Sequence, residues 1–219
     1  MKKIHFMYGI LLACMTMTTA CFTPINTTFD SARLLDRGEI EIQGSGSLYH
    51  YYGAKINDPV FDANRNLGAA IGIGLSDRIN MRLRYEYLKS GFSSNLFGEE
   101  IRLNDIQYME LSGKVRLIKD KLALTMPLGV YSSNGASFYS IDPRLTYTYR
   151  LNNLFEASLI PKVHLLFVDG EAAAMPGVSV GFGISSNLDK WAIRPEFGYD
   201  TNIVFGVGVS YYVNPWRNE

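Results

Sequence analysis

The chain has 219 residues, of which 21 are basic and 21 acidic, so its formal net charge is zero. That balance excludes a nucleic-acid partner, because such binding rests on clustered lysine and arginine that neutralise phosphates. Hydrophobic residues make up 47% and aromatic residues 13% of the chain, with 14 tyrosines and 20 glycines, and the length suits one domain or one barrel.

Residues 1–20 have the layout of a secretory signal peptide. Met1-Lys2-Lys3 is a basic start, Ile4 to Met17 is mostly apolar, and Thr18-Thr19-Ala20 offers a small-residue cleavage site. Cysteine directly after Ala20 resembles the bacterial lipoprotein signal, in which that cysteine is cleaved at and acylated. The resemblance implies lipidation, palmitate included, at Cys21. Leu11-Leu12-Ala13-Cys14 is a second candidate, and ordinary cleavage a third reading. Phe22-Thr23-Pro24 lacks the acidic cluster that resembles a surface-export signal, so the resemblance implies an anchor and an N-terminus on the periplasmic side. Cys14 and Cys21 are the only cysteines, which leaves no disulfide, thiolate metal site or thiol nucleophile beyond residue 21. Nothing after residue 21 approaches 18 consecutive apolar residues, so any membrane span must be built of strands.

Residues 21–38 read as a lipid-anchored tether. Asp30 to Leu35 is compatible with a short helix, Asp30 capping it and Gly38 stopping it. Phe29, Leu34 and Leu35 then need a surface to pack on. Strand patterning begins at residue 39, where Glu39, Glu41, Gln43 and Ser45 alternate with Ile40, Ile42 and Gly44. Ten such runs follow one another to residue 213, leaving 214–219 as a tail. The clearest is the hairpin over 67–88. Leu67, Ala69, Ile71, Ile73 and Leu75 share one face, Ser76-Asp77-Arg78 turns the chain, and Ile79, Met81, Leu83, Tyr85 and Tyr87 continue the apolar face. Asn80, Arg82, Arg84 and Glu86 occupy the other.

An apolar face without a single charge is either the core of a soluble barrel or the lipid side of a membrane barrel. The turns near 77, 119, 152 and 188 are short, and the connections near 58, 96, 135 and 171 read as longer. Tyr52, Tyr85, Tyr87, Tyr108, Phe167 and Tyr199 fall near one end of the strands, and Tyr147, Tyr149, Phe155, Trp191 and Tyr211 near the other. Two aromatic belts around an aliphatic band are what a bilayer selects. The fold class expected is therefore all-β: a closed antiparallel transmembrane β-barrel of about ten strands, with eight or twelve as alternatives. A soluble lipid-binding barrel is the rival.

Gly-Leu-Ser-Asp-Arg-Ile-Asn at 74–80, the short Asp-bearing turns and the final run Gly-Val-Gly-Val-Ser-Tyr-Tyr at 206–212 resemble small outer-membrane β-barrel proteins of gram-negative bacteria. The resemblance covers about residues 39–213. It implies the bacterial outer membrane as location, with outer-membrane lipids and the barrel-assembly machinery as partners.

The polar faces collect Glu39, Glu41, Glu86, Glu110, Asp142, Glu156, Glu196 and Asp200 together with Arg82, Arg84, Lys114, Arg116, Arg144, Arg150, Lys162 and Arg194. Equal numbers of acids and bases fit a salt-bridged lumen filled by side chains. A conducting pore lined by the same residues is the alternative. Arg82 and Arg84 need acids across the barrel, with Glu39, Glu41 and Glu110 as the expected partners. Pro127, Pro143 and Pro161 fall in three successive strands. Proline donates no ladder hydrogen bond, so they mark either local bulges or a lateral seam that opens to a lipophilic solute. A rim-sited lipid-modifying enzyme would use His50 or His164 with Ser132, Ser133 or Ser137, but no local motif selects them, and no enzyme is assigned. Asn57, Asp58, Asp62 and Asn64 lack the spacing of a calcium loop. No cofactor or metal is expected, and no extracellular ligand is named. The function expected is structural or interactive, with a narrow channel or lateral-gate transporter as the alternative.

Overall fold

The period-two runs form strands whose two faces differ in kind. The computed structural model describes residues 25, 27–51, 64–89, 92–94, 100–102, 105–133, 136–168, 171–200 and 202–215. Thirteen strand segments are present among them. Two form a separate small hairpin, Phe92–Ser94 with Glu100–Arg102. Two others are halves of one strand, which leaves ten in the barrel. These are β1 (Ile40–Tyr51), β2 (Asn64–Ser76), β3 (Ile79–Lys89), β4 (Ile106–Ile118), β5 (Leu122–Ser133), β6 (Ala136–Ile141 with Arg144–Arg150), β7 (Phe155–Val168), β8 (Glu171–Ile184), β9 (Trp191–Tyr199) and β10 (Asn202–Val213). Each pairs antiparallel with its sequence neighbour. The barrel closes where β1 meets β10, from Ile40 opposite Val213 to Tyr51 opposite Asn202.

Along β3, Asn80, Arg82, Arg84, Glu86 and Leu88 are buried, while Ile79, Met81, Leu83, Tyr85 and Tyr87 are exposed. The same alternation runs round the wall. Ile71, Leu83, Leu111, Leu128, Leu159, Val180, Ile193 and Val209 face outward. Burying one such side chain is worth about 1.5–3 kcal/mol. A water-soluble protein would forgo that gain around the whole circumference, while its interior held Arg84, Glu86, Glu110, Lys162 and Glu196. A barrel whose solvent outside is lipid has no such conflict. Outward tyrosines mark the two ends: Tyr85, Tyr87, Tyr139 and Tyr199 at one, Tyr147, Tyr149 and Tyr211 at the other.

Several expectations are corrected. The connections near 135 and 171 are not long loops. β5 runs to Ser133 and β6 starts at Ala136, and β7 runs to Val168 before β8 starts at Glu171. The small residues of these stretches satisfy a ladder without showing strict alternation, so they looked like loop. Only the β1–β2 and β3–β4 connections are long. Tyr108 is not a belt residue: it is 2% exposed and points into the barrel. No helical turn forms over Asp30 to Leu35, which is irregular with a bend at Ala32. Tyr52, the side chain of His50, and Asn57, Asp58 and Asp62 lie outside the described residues, as do residues 1–24, with Cys14 and Cys21. Asn64 begins β2, with its side chain likewise undescribed.

Candidate functional site

A barrel of ten strands spaced about 4.8 Å apart and tilted about 40° has a radius of about 10 Å. Wall side chains alone would leave a gap along such an axis. Residues 25 and 27–38 fill it. This strap enters at the short-turn end, where the Gly38 N–H donates to the Gly74 carbonyl at 2.8 Å. It ends near the other mouth, where the Ile25 N–H donates to Tyr131 Oη at 3.1 Å. Phe29, Ala32, Leu34 and Leu35 are each under 5% exposed, inside the barrel rather than on its rim.

The strap belongs to no ladder, so its backbone groups must find other partners. The wall supplies them side chain by side chain. Thr28 N–H donates to Glu196 Oε1 at 3.0 Å, and Phe29 N–H to Glu196 Oε2 at 2.5 Å. Two consecutive amides reach one carboxylate because Phe29 has φ of 50°, a left-handed conformation. That conformation costs about 1–2 kcal/mol, and each hydrogen bond to a charged group returns about 1.5–3 kcal/mol. The carboxylate outweighs the strain. Gln43 Nε2 donates to the Phe29 carbonyl at 2.8 Å, and Ala32 N–H to Thr148 Oγ1 at 2.7 Å. Arg82 donates to the Thr28 carbonyl at 3.4 Å and also to Gln43 Oε1.

Lys114 contributes most. Its Nζ lies 2.9 Å from Asp30 Oδ1, 2.5 Å from the Ser31 carbonyl and 2.8 Å from the Arg33 carbonyl. A lysine ammonium has three donors, and all three are spent on the strap. Arg82 and Arg144 add positive charge around the same Asp30 carboxylate. At the short-turn end Arg33 Nη2 reaches Glu39 Oε1 at 2.8 Å and its guanidinium stacks 4.4 Å from the Tyr212 ring centroid.

Shape follows the same plan. A Cβ on Gly208 would lie 2.7 Å from Phe29 Cβ, and one on Gly206 2.6 Å from Phe29 Cζ. Two missing side chains in β10 are the seat of the phenylalanine ring. A Cβ on Gly74 would lie 2.0 Å from the Asp36 carbonyl oxygen, so the strap backbone crosses β2 where only glycine fits. Around Asp30, Arg33 and Lys114 a residual cavity of about 20 Å³ remains, roughly the space of one water.

The other lumen residues of the sequence reading form two layers. Toward the long-loop end Arg84 pairs with Glu86 and lies 3.9 Å from Glu110, whose other oxygen takes Arg144 at 3.1 Å. Asp142 accepts from Ser140 at 2.7 Å, lies 3.4 Å from Tyr108 Oη and holds His164 Nδ1 at 2.9 Å. His164 Nε2 is 4.0 Å from Asp200 Oδ2. Below, Arg194 binds Glu156 at 2.7 Å and Tyr212 Oη at 3.0 Å. Lys162 bonds Ser179 at 3.1 Å and lies 4.0 Å from Glu196. Glu41 is buried beside Gly72. Arg116 is half-buried, and Arg150 is an exposed rim residue 3.2 Å from Asp189. Of the acids named for Arg82 and Arg84, Glu110 meets Arg84, while Glu39 turns to the strap.

The structure does not join the serines and histidine of the enzyme reading. Ser132 and Ser137 are exposed, Ser133 Oγ donates to the Asp105 carbonyl at 3.0 Å, and His164 is 1% exposed in the lumen. Ser140 does approach His164, but through the carboxylate of Asp142. A nucleophile needs its base adjacent, with the carboxylate behind the base; here the carboxylate stands between them.

Pro127, Pro143 and Pro161 meet at the interruption of β6. The register is kept on both sides, Thr125 opposite Arg144 and Leu128 opposite Ile141. Asp142 N–H donates to the Pro127 carbonyl at 3.2 Å and Val163 N–H to the Pro143 carbonyl at 3.1 Å, so the ladder continues through the break.

The residues missed at the sequence level are Thr28, Asp30, Arg33, Gln43, Tyr131, Tyr212 and Ser210, whose Oγ accepts from Gln43 Nε2 at 2.8 Å. The apolar Phe29 and Leu34-Leu35 in a polar segment were the one available signal.

No family model matches the chain, and no curated protein matches it. Among solved structures it is similar to a de novo designed transmembrane β-barrel, at 10% identity over 82% of this chain and 98% of that one, with a TM-score of 0.40. It is also similar to an outer-membrane channel from Pseudomonas putida F1, at 12% identity over 87% and 98%, TM-score 0.41. The translocator domain of the autotransporter NalP from Neisseria meningitidis matches at 9% identity over 95% of each chain, TM-score 0.38. The fold itself rests on the closed register of the ten strands.

Proposed function

We propose that this chain is an outer-membrane β-barrel with a structural or interaction role, exported by a signal peptide, whose lumen is closed by its own N-terminal strap. One observation carries the reading: residues 25–38 run the length of the lumen with their backbone groups bonded to wall side chains. The short turns then face the periplasm and the two long connections, after β1 and after β3, face outward to meet partners. Outer-membrane lipids cover the apolar wall, and the final strand β10 with its aromatic end is what the barrel-assembly machinery would read. No extracellular ligand is assigned.

A transporter is the second reading, and the interruption of β6 among Pro127, Pro143 and Pro161 is the observation that favours it. The two readings differ in planar bilayers. The purified full-length barrel is expected to insert and give no single-channel steps at neutral pH. Regular ohmic steps from the unmodified protein would replace the plugged barrel with a narrow channel.

A further inference from the structure

The strap has a direction, and that direction says where the N-terminus goes. Gly38 is bonded at the short-turn end of β2. Phe29 and Thr28 lie mid-lumen, against Glu196 and β10. Ile25 is 6% exposed and packs with Leu88, Tyr108, Tyr131, Leu166 and Met175. Leu88 is next to last in β3, Tyr131 third from the end of β5, and Leu166 third from the end of β7. All three are at the long-loop mouth. β10 ends at Val213 opposite Ile40, at the short-turn mouth.

We infer that the strap is threaded outward through the barrel, so that the chain ahead of Ile25 leaves by the long-loop mouth, on the outer side of the membrane. The inference rests on the plugged-barrel reading and adds a sidedness to it. It replaces the periplasmic anchor expected from Phe22-Thr23-Pro24.

Two chains test this, each with one introduced thiol in a background where Cys14 and Cys21 are replaced by serine, Thr23→Cys and Asn218→Cys, probed on intact cells with a membrane-impermeant maleimide. The Thr23→Cys chain is expected to label as fully in intact cells as after permeabilisation, and the Asn218→Cys chain only after permeabilisation. Thr23→Cys protected in intact cells and reached only after permeabilisation would overturn the outward exit. A separate cross-link between Ala32→Cys and Ala123→Cys reports the strap itself. If it forms while position 23 stays protected, the exit is wrong and the plug stands. If it fails to form and position 32 labels freely in the folded barrel, the plug and the exit fall together.

Discussion

Lys114→Met is expected to unseat the strap and turn a silent barrel into one that opens. The ammonium holds one carboxylate and two carbonyls of the strap, at 2.9, 2.5 and 2.8 Å. Methionine keeps the length of the side chain and removes all three donors. Asp30 is left as a buried charge, with Arg82 and Arg144 as the remaining cations nearby. Breaking a buried pair by removing one partner costs about 3–5 kcal/mol. At about 1.4 kcal/mol per factor of ten, a loss near 4 kcal/mol raises the unseated fraction roughly a thousandfold. Single-channel recording is the check: brief openings in the variant against none in the unmodified protein. Adding Asp30→Asn removes the abandoned charge and is expected to suppress most of the openings. Openings as frequent in the double variant as in Lys114→Met would mean that the pair is not what seats the strap.

Gly208→Val is expected to displace the strap by a different route, shape instead of charge. The added Cβ meets Phe29 at 2.7 Å from Cβ and 2.8 Å from Cγ, close to the strap backbone, where no rotamer change gives relief. Phe29 cannot slide, because its N–H is on Glu196 and its carbonyl on Gln43. Overpacking of this kind costs about 1–3 kcal/mol. The barrel wall is untouched, so heat-modifiable gel migration is expected to persist while the unfolding midpoint falls. Phe29→Ala in the same chain is expected to restore part of the loss. Gly113→Val is the control, since nothing lies within 4 Å of a Cβ there. Equal midpoints for Gly208→Val and Gly113→Val would show that the β10 glycines seat nothing.

The wall was legible in the sequence because lipid imposes one rule on every strand. An outward charge is costly at each position, so parity alone separates Leu83 from Arg84 and Val180 from Ser179. The register of 67–88 and the number of strands followed from that rule. The lumen was legible as a set but not as pairs. Glu39 and Glu110 look alike from parity, yet one binds Arg33 of the strap and the other bridges Arg84 and Arg144. The strap was illegible for a physical reason. Its backbone is satisfied by side chains from many separate strands, Gln43, Lys114, Thr148 and Glu196 among them, so no local period records it. Tyr108 was misplaced for a related reason: tyrosine suits a headgroup belt and a buried hydrogen-bonded cluster equally well. The two-residue β5–β6 and β7–β8 connections were read as long because small residues break the alternation before the ladder ends.

Residues 25 and 27–38 occupy the lumen of the closed barrel. Ala32 and Ala123 are both 0% exposed and share one buried apolar cluster with Leu34, one on the strap and one on β5. In a Cys21→Ser background, Ala32→Cys with Ala123→Cys is expected to form a disulfide on mild oxidation of the folded protein, seen as a mobility shift that reductant reverses. No cross-link, with position 32 freely labelled by a water-soluble maleimide in the folded barrel, would place the strap outside and contradict the account.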